Sequence, residues 1–148
     1  MLPLKKPSYS LAKVLEHKNF RATQLKKELA ELTDVYENTR IESENHKQRY
    51  QNSLKLGSQE NYLKPADIQL TYAYRDFLRS SLNEVLSREE KAAKDLAAAK
   101  QRWIEGQLEV RMLERHRENE QKSFSDHQDR LTQSTLDEIA VNLYHRRR

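Results

Sequence analysis

Leu56-Gly57-Ser58-Gln59-Glu60-Asn61-Tyr62-Leu63-Lys64-Pro65 is the one stretch of this chain in which a repeating pattern stops. Gly57 can take the left-handed conformation that ends a helix, and Pro65 suits a first helical position, where its missing N–H would have no partner anyway. On the N-terminal side, steps of four and three pick out Leu11, Leu15, Lys18, Ala22, Leu25, Leu29, Leu32, Tyr36, Thr39, Ser43, His46 and Tyr50. On the C-terminal side the same steps run from Ile68 through Leu78, Leu82, Val85, Ala92, Leu96, Ala99, Trp103, Gly106, Val110, Leu113, Phe124 and Leu131. That spacing is the seam of a coiled coil. It predicts an all-α fold: two long helices in an antiparallel coiled-coil hairpin, with a longer C-terminal helix that overhangs. The 148 residues then form one hairpin, with helix 1 at about 8–56, a turn at about 57–64 and helix 2 at about 65–144. At 1.5 Å per residue the helices are rods of roughly 70 and 120 Å.

Composition leaves little room for another class. Two glycines, three prolines, 34% charged and 36% hydrophobic residues supply a narrow apolar stripe but no globular core. A disordered chain would have no reason to space its leucines. Without cysteine there is no disulfide framework and no thiolate metal site, which suits a cytosolic protein. The start, Met1-Leu2-Pro3-Leu4-Lys5-Lys6-Pro7, is too short and too interrupted for a signal peptide, and no apolar run reaches membrane-spanning length, so no direct membrane insertion is expected.

The formal net charge of +4 arises within residues 1–32, which carry seven Lys/Arg against three Asp/Glu. A second basic cluster, Arg146-Arg147-Arg148, ends the chain. No basic stripe interleaved with aromatics follows either helix, so nucleic acid is not an expected partner. Five scattered histidines give at most two ligands on a face (His116 with Glu120, Asp126 with His127), and there is no glycine-rich phosphate loop. The reading is a protein without metal, cofactor or catalytic residues, not an enzyme.

Folding the chain back near residue 61 makes facing positions sum to roughly 122. Leu25 and Leu29 then meet the alanines at 97 or 99 and at 92 or 93, Trp103 falls beside Lys18 and Ala22, and Thr39 and Ser43 face Leu82 and Leu78. Large meets small repeatedly, which favours an intramolecular pair over a parallel homodimer, in which Ala92, Ala99 and Gly106 would each stack on their own copies. Past about residue 111 helix 1 runs out, yet Leu113, Phe124, Leu131, Leu136, Ile139, Ala140 and Leu143 continue, so that face calls for a groove, a cavity or another helix.

Several of these pieces resemble a known family. Val110-Arg111-Met112-Leu113-Glu114-Arg115, followed by Leu136-Asp137-Glu138-Ile139-Ala140, looks like the ending of the flagellar export protein FliJ and its injectisome relatives of the YscO type. Tyr9-Ser10-Leu11 with Val14-Leu15, and Tyr50-x-x-x-Leu54 followed by Tyr74-x-x-Phe77-Leu78-x-x-x-Leu82, are similar too. The resemblance implies a non-catalytic, cytoplasmic stalk of a type III export apparatus, peripheral to the inner membrane. It also implies three partners: an export ATPase hexamer, the cytoplasmic part of the export gate membrane protein, and export chaperones. By position, Tyr50, Phe77, Leu78 and Leu82 would bind the gate. Leu113, Phe124, Leu131, Leu136 and Ile139, on the overhang, would be gripped by the ATPase ring. Where the family often has an aromatic one turn before Tyr50, this chain has His46. Two other readings stand beside it: a generic scaffolding coiled coil whose overhang dimerises, and a chaperone for export substrates.

Overall fold

A computed structural model describes residues 9–56 and 64–146, so the predicted turn lies outside the described residues except for Lys64. α1 spans Ala12–Leu56 and α2 spans Pro65–Arg146. The two long helices pack against each other as an all-α hairpin. No glycine or proline interrupts α1, and within α2 the only glycine is Gly106, at a seam position. α2 opens as its first residues dictate: Lys64 supplies the carbonyl that accepts from the amides of Asp67 and Ile68 at 2.9 and 3.1 Å, and Pro65 has no N–H to leave unpaired. Asp67 in the first turn and His145 and Arg146 in the last suit the helix dipole.

The structure divides into two compact units. One comprises Met1–Ala22 with Glu105–Arg148, the other Thr23–Ile104. In the Thr23–Ile104 unit the core is Leu78, Val85, Ala92 and Ala99, with Ser43 and Ser53 buried among them. A buried hydroxyl needs a partner, and each serine finds one in its own helix: Ser43 Oγ donates to the Arg40 carbonyl at 2.9 Å and Ser53 Oγ to the Tyr50 carbonyl at 2.6 Å. In the other unit Leu15, Ala22 and Val110 form a small cluster against which Tyr9 and Leu113 pack. Every seam position of α1 and of α2 through Arg117 is buried or half-buried, and the residues between them are mostly exposed.

The register is one heptad away from the expected one. Ser53 meets Arg75, whose Nε donates to the Ser53 carbonyl at 3.1 Å; His46 meets Ser81 at 3.2 Å; Glu42 meets Arg88 at 2.9 Å; and Glu28 meets Arg102 at 2.6 Å. Facing seam residues therefore sum to about 128, which sets Ser43 opposite Val85, Tyr36 opposite Ala92, Leu29 opposite Ala99 and Leu25 opposite Trp103. Large still meets small, but with different partners. A slide of one heptad carries every seam residue onto another seam residue, so apolar spacing cannot tell the two registers apart. Charge can: the expected register would bring Glu28 opposite Asp95 and Lys18 opposite Arg102. Both like-charge clashes become ion pairs in the register observed.

Lys18 thus lies against Glu109, with Nζ 2.6 Å from Oε2, and not beside Trp103. Trp103 is half-buried, and its indole N–H, expected at the seam edge near Lys18, is buried without a hydrogen-bond partner. The hydrogen bond and charge of Lys18 hold the Glu109 carboxyl below its ordinary value of 4.5. A depressed carboxylate stabilises the fold fully above its unfolded pKa, and that contribution fades as pH falls through the lower folded value. Lys18→Leu is therefore expected to raise the melting temperature at neutral pH, because a leucine buries more apolar surface at this seam position than the lysine stem. The opposing loss is small, since an ion pair this open to solvent is strongly screened by water. The variant should also lose stability less steeply below pH 4.5 than wild type; thermal melts across that range check both, and a lower melting temperature at neutral pH would refute the argument.

Candidate interaction surfaces

The candidate surfaces are two stretches where apolar side chains stand outward from helices that have already paired. The first lies where α1 ends and α2 begins. Here Leu70 is 71% exposed, Tyr74 53% and Phe77 66%, and their spacing of four and then three places them on one face of α2. Tyr50 is half-buried at the edge of the pair, its phenolic oxygen accepting from Nη2 and Nε of Arg79 at 3.1 and 3.3 Å, with the guanidinium 5.9 Å from the ring centre. That hydrogen bond, with the phenolic oxygen's charge, raises the Arg79 pKa further, so the group stays cationic at any working pH. Arg75 lies 5.8 Å from the Tyr72 ring in the same way.

Of the four residues expected at this surface, Phe77 faces outward, Tyr50 and Leu82 are half-buried, and Leu78 is 4% exposed inside the seam. Leu70 and Tyr74, absent from that set, complete the outward stripe. The signal for them was available, since Leu78 and Leu82 already belonged to the seam and a face one step around the helix reads Leu70, Tyr74, Phe77.

The second surface follows the end of pairing on α2. Tyr9 Oη donates to the Leu113 carbonyl at 3.1 Å and lies 3.2 Å from His116 Nδ1, so cover extends to His116 and not merely to residue 111. Leu113 is consequently part of the packed cluster. Beyond it, Phe124 is half-buried, while Leu131, Leu136 and Ile139 are each half or more exposed, as are Val141, Leu143 and Tyr144. At 3.6 residues per turn Phe124 and Leu131 share one face, and Leu136, Ile139 and Leu143 occupy a second, roughly a third of a turn away. The overhang carries two apolar faces where the sequence reading assumed one.

Among the described residues no group of three or more His, Asp or Glu side chains is placed to hold a metal ion; His116 and Glu120 approach to 3.8 Å and stop there. No helix of the described residues is long and apolar enough to cross a membrane.

Paired helices with outward apolar stripes, and polar groups largely engaged with one another, define a coiled-coil protein. The family profile described as Flagellar FliJ protein matches residues 7–148, and the chain belongs to that family. It is a component of the flagellar protein export apparatus. No curated protein and no solved structure matches it.

Proposed function

We propose that the chain is the stalk of the export apparatus, seated by its unpaired α2 segment in the ring of an export ATPase hexamer and reaching the cytoplasmic part of the gate protein with its Leu70-Tyr74-Phe77 face. The observation that carries the reading is the length of α2 left over: from Gln121 to Arg146 it has no partner helix among the described residues, yet it bears Leu131, Leu136, Ile139 and Leu143 exposed. An isolated helix with that much outward apolar surface is stabilised only when something covers it. Two apolar faces suit a ring, whose neighbouring subunits approach a central helix from different directions. Transmission then works through contact, since differential binding to subunits in different states biases their equilibrium without chemistry in the stalk. Export chaperones would be further partners, and the protein would be cytoplasmic, peripheral to the inner membrane.

Addition of the full-length chain to the purified export ATPase should stimulate ATP hydrolysis, saturating at one chain per hexamer. No stimulation at saturating chain would overturn the ring assignment. For the other end, Phe77→Ala together with Tyr74→Ala should weaken binding to the purified gate domain at least tenfold, with helicity unchanged because both side chains stand outside the seam. Gate binding at wild-type strength would remove that face from the proposal.

A further inference from the structure

We propose that one flank of the helix pair in the Thr23–Ile104 unit is a docking groove for an acidic amphipathic helix of a partner protein, separate from both surfaces described above. A two-helix coiled coil has two flanks, and here they are unlike. One is closed by ion pairs across the helices, Glu28 with Arg102 at 2.6 Å and Glu42 with Arg88 at 2.9 Å. The other is formed by the positions one step around from the seam: Lys26, Thr33, Arg40, Lys47 and Leu54 on α1, and Tyr72, Arg79, Leu86, Ala93 and Lys100 on α2. Five of these ten residues are basic and none is acidic. The register sets Lys26 opposite Lys100 and Lys47 opposite Arg79, so like charges face each other where the first flank has opposite ones.

Arg79 is held by Tyr50, to whose hydroxyl it donates at 3.1 and 3.3 Å, but the other four cations are engaged weakly or not at all. Lys26 and Lys100 make no ion pair among the described residues, whereas Arg40 and Lys47 reach back along their own helix to Glu37 and Glu44 at 3.1 and 3.9 Å. Such exposed pairs contribute little and exchange readily for a better-placed carboxylate. Between the charges, Thr33, Leu86 and Ala93 floor the groove, the last two half-buried, with side chains small enough to admit a third helix. Half-buried Glu89 borders it on the seam, and Glu37, Glu44, Asp76 and Glu90 lie on its outer margins.

Those features choose the occupant. Cations on each helix recur at heptad multiples, seven residues from Arg40 to Lys47 and fourteen from Lys26 to Arg40, which matches carboxylates carried on a helix and not the dense charge of a phosphate backbone. The acidic margins would repel a nucleic acid or an anionic membrane but leave room for an individual helix bearing acids toward the groove and apolar residues toward Leu86 and Ala93. A second copy of this chain presents the same basic flank and gains nothing by lying against it.

The test uses the full-length protein and a designed helical peptide of about four heptads with glutamates at heptad spacing beside an alanine and leucine stripe, read by fluorescence anisotropy. The peptide should bind wild type, more weakly as salt rises, and at least tenfold more weakly to the double variant Lys26→Glu, Lys100→Glu. The matched double variant Lys13→Glu, Lys91→Glu, with the same change of net charge on outward faces, should bind as wild type does, and a scrambled peptide of equal composition should not bind. Three results would overturn the proposal: equal losses in both variants, which would mean bulk charge alone; tighter binding of duplex DNA or anionic vesicles than of the peptide; or a dimer in sedimentation that Lys26→Glu, Lys100→Glu dissociates, which would make the occupant a second copy. Circular dichroism of both variants controls for folding, and exchanging one exposed like-charge pair, Lys26 with Lys100, for another is not expected to reduce helicity.

Discussion

Deleting residues 121–148 is expected to leave the helical hairpin folded and to abolish stimulation of an export ATPase hexamer. The deletion spares every layer in which α1 and α2 meet: Tyr9 keeps Leu113 and His116, Lys18 keeps Glu109, and the cluster of Leu15, Ala22 and Val110 is intact. The melting temperature should therefore change little. A cut at residue 112 would confound the experiment, because it removes Leu113 from that cluster. What the deletion takes away is the exposed set Leu131, Leu136, Ile139 and Leu143. Burying each of these against a partner is worth at most roughly 1.5–3 kcal/mol before ordering costs, so losing all of them removes an amount comparable to the net affinity of an ordinary complex. Equal stimulation by the full-length and shortened chains would sink the stalk reading and move the weight to a scaffold whose overhang serves some other contact.

The second large effect is expected inside the seam. Val85 is 1% exposed and sits in register with Ser43, also 1% exposed, so the layer has no route to water. Val85→Asp loses the transfer energy of the valine and sets a carboxylate where the facing hydroxyl already donates to the Arg40 carbonyl. An unpaired buried charge costs several kcal/mol, and together the two losses are comparable to the whole stability of a small domain. Far-ultraviolet circular dichroism should show most helicity lost at 25 °C, whereas Val85→Ala should cost only roughly 1–3 kcal/mol and remain folded. A Val85→Asp protein that melts like wild type would show that this layer opens to solvent.

Much of the candidate surface could be read from residue spacing, and the part that could not has a consistent cause. Phe77, Leu131, Leu136 and Ile139 stand outward as expected because a residue's place on a helical wheel follows from its number alone. Leu78 and Leu113 do not: Leu78 is buried as its seam position already implied, whereas Leu113 is covered because Tyr9 packs beside it, which only the paired helices show. The Leu70-Tyr74-Phe77 face was legible too, one step around the helix from the seam that Leu78 and Leu82 already marked.

By itself, the sequence determined that this protein is two long helices, where each stripe begins and where the break falls, since a 3.6-residue period and the conformational limits of glycine and proline are local properties of the chain. Only the tertiary structure decided the register, because a slide of one heptad preserves every apolar match. The choice falls to charges far apart in sequence, Lys18 with Glu109, Glu28 with Arg102 and Glu42 with Arg88, which meet only once the helices lie side by side. From that register follow the partners of Lys18 and Trp103, the length of α2 left uncovered, and the flank whose positions beside the seam hold five cations, with carboxylates only at its borders.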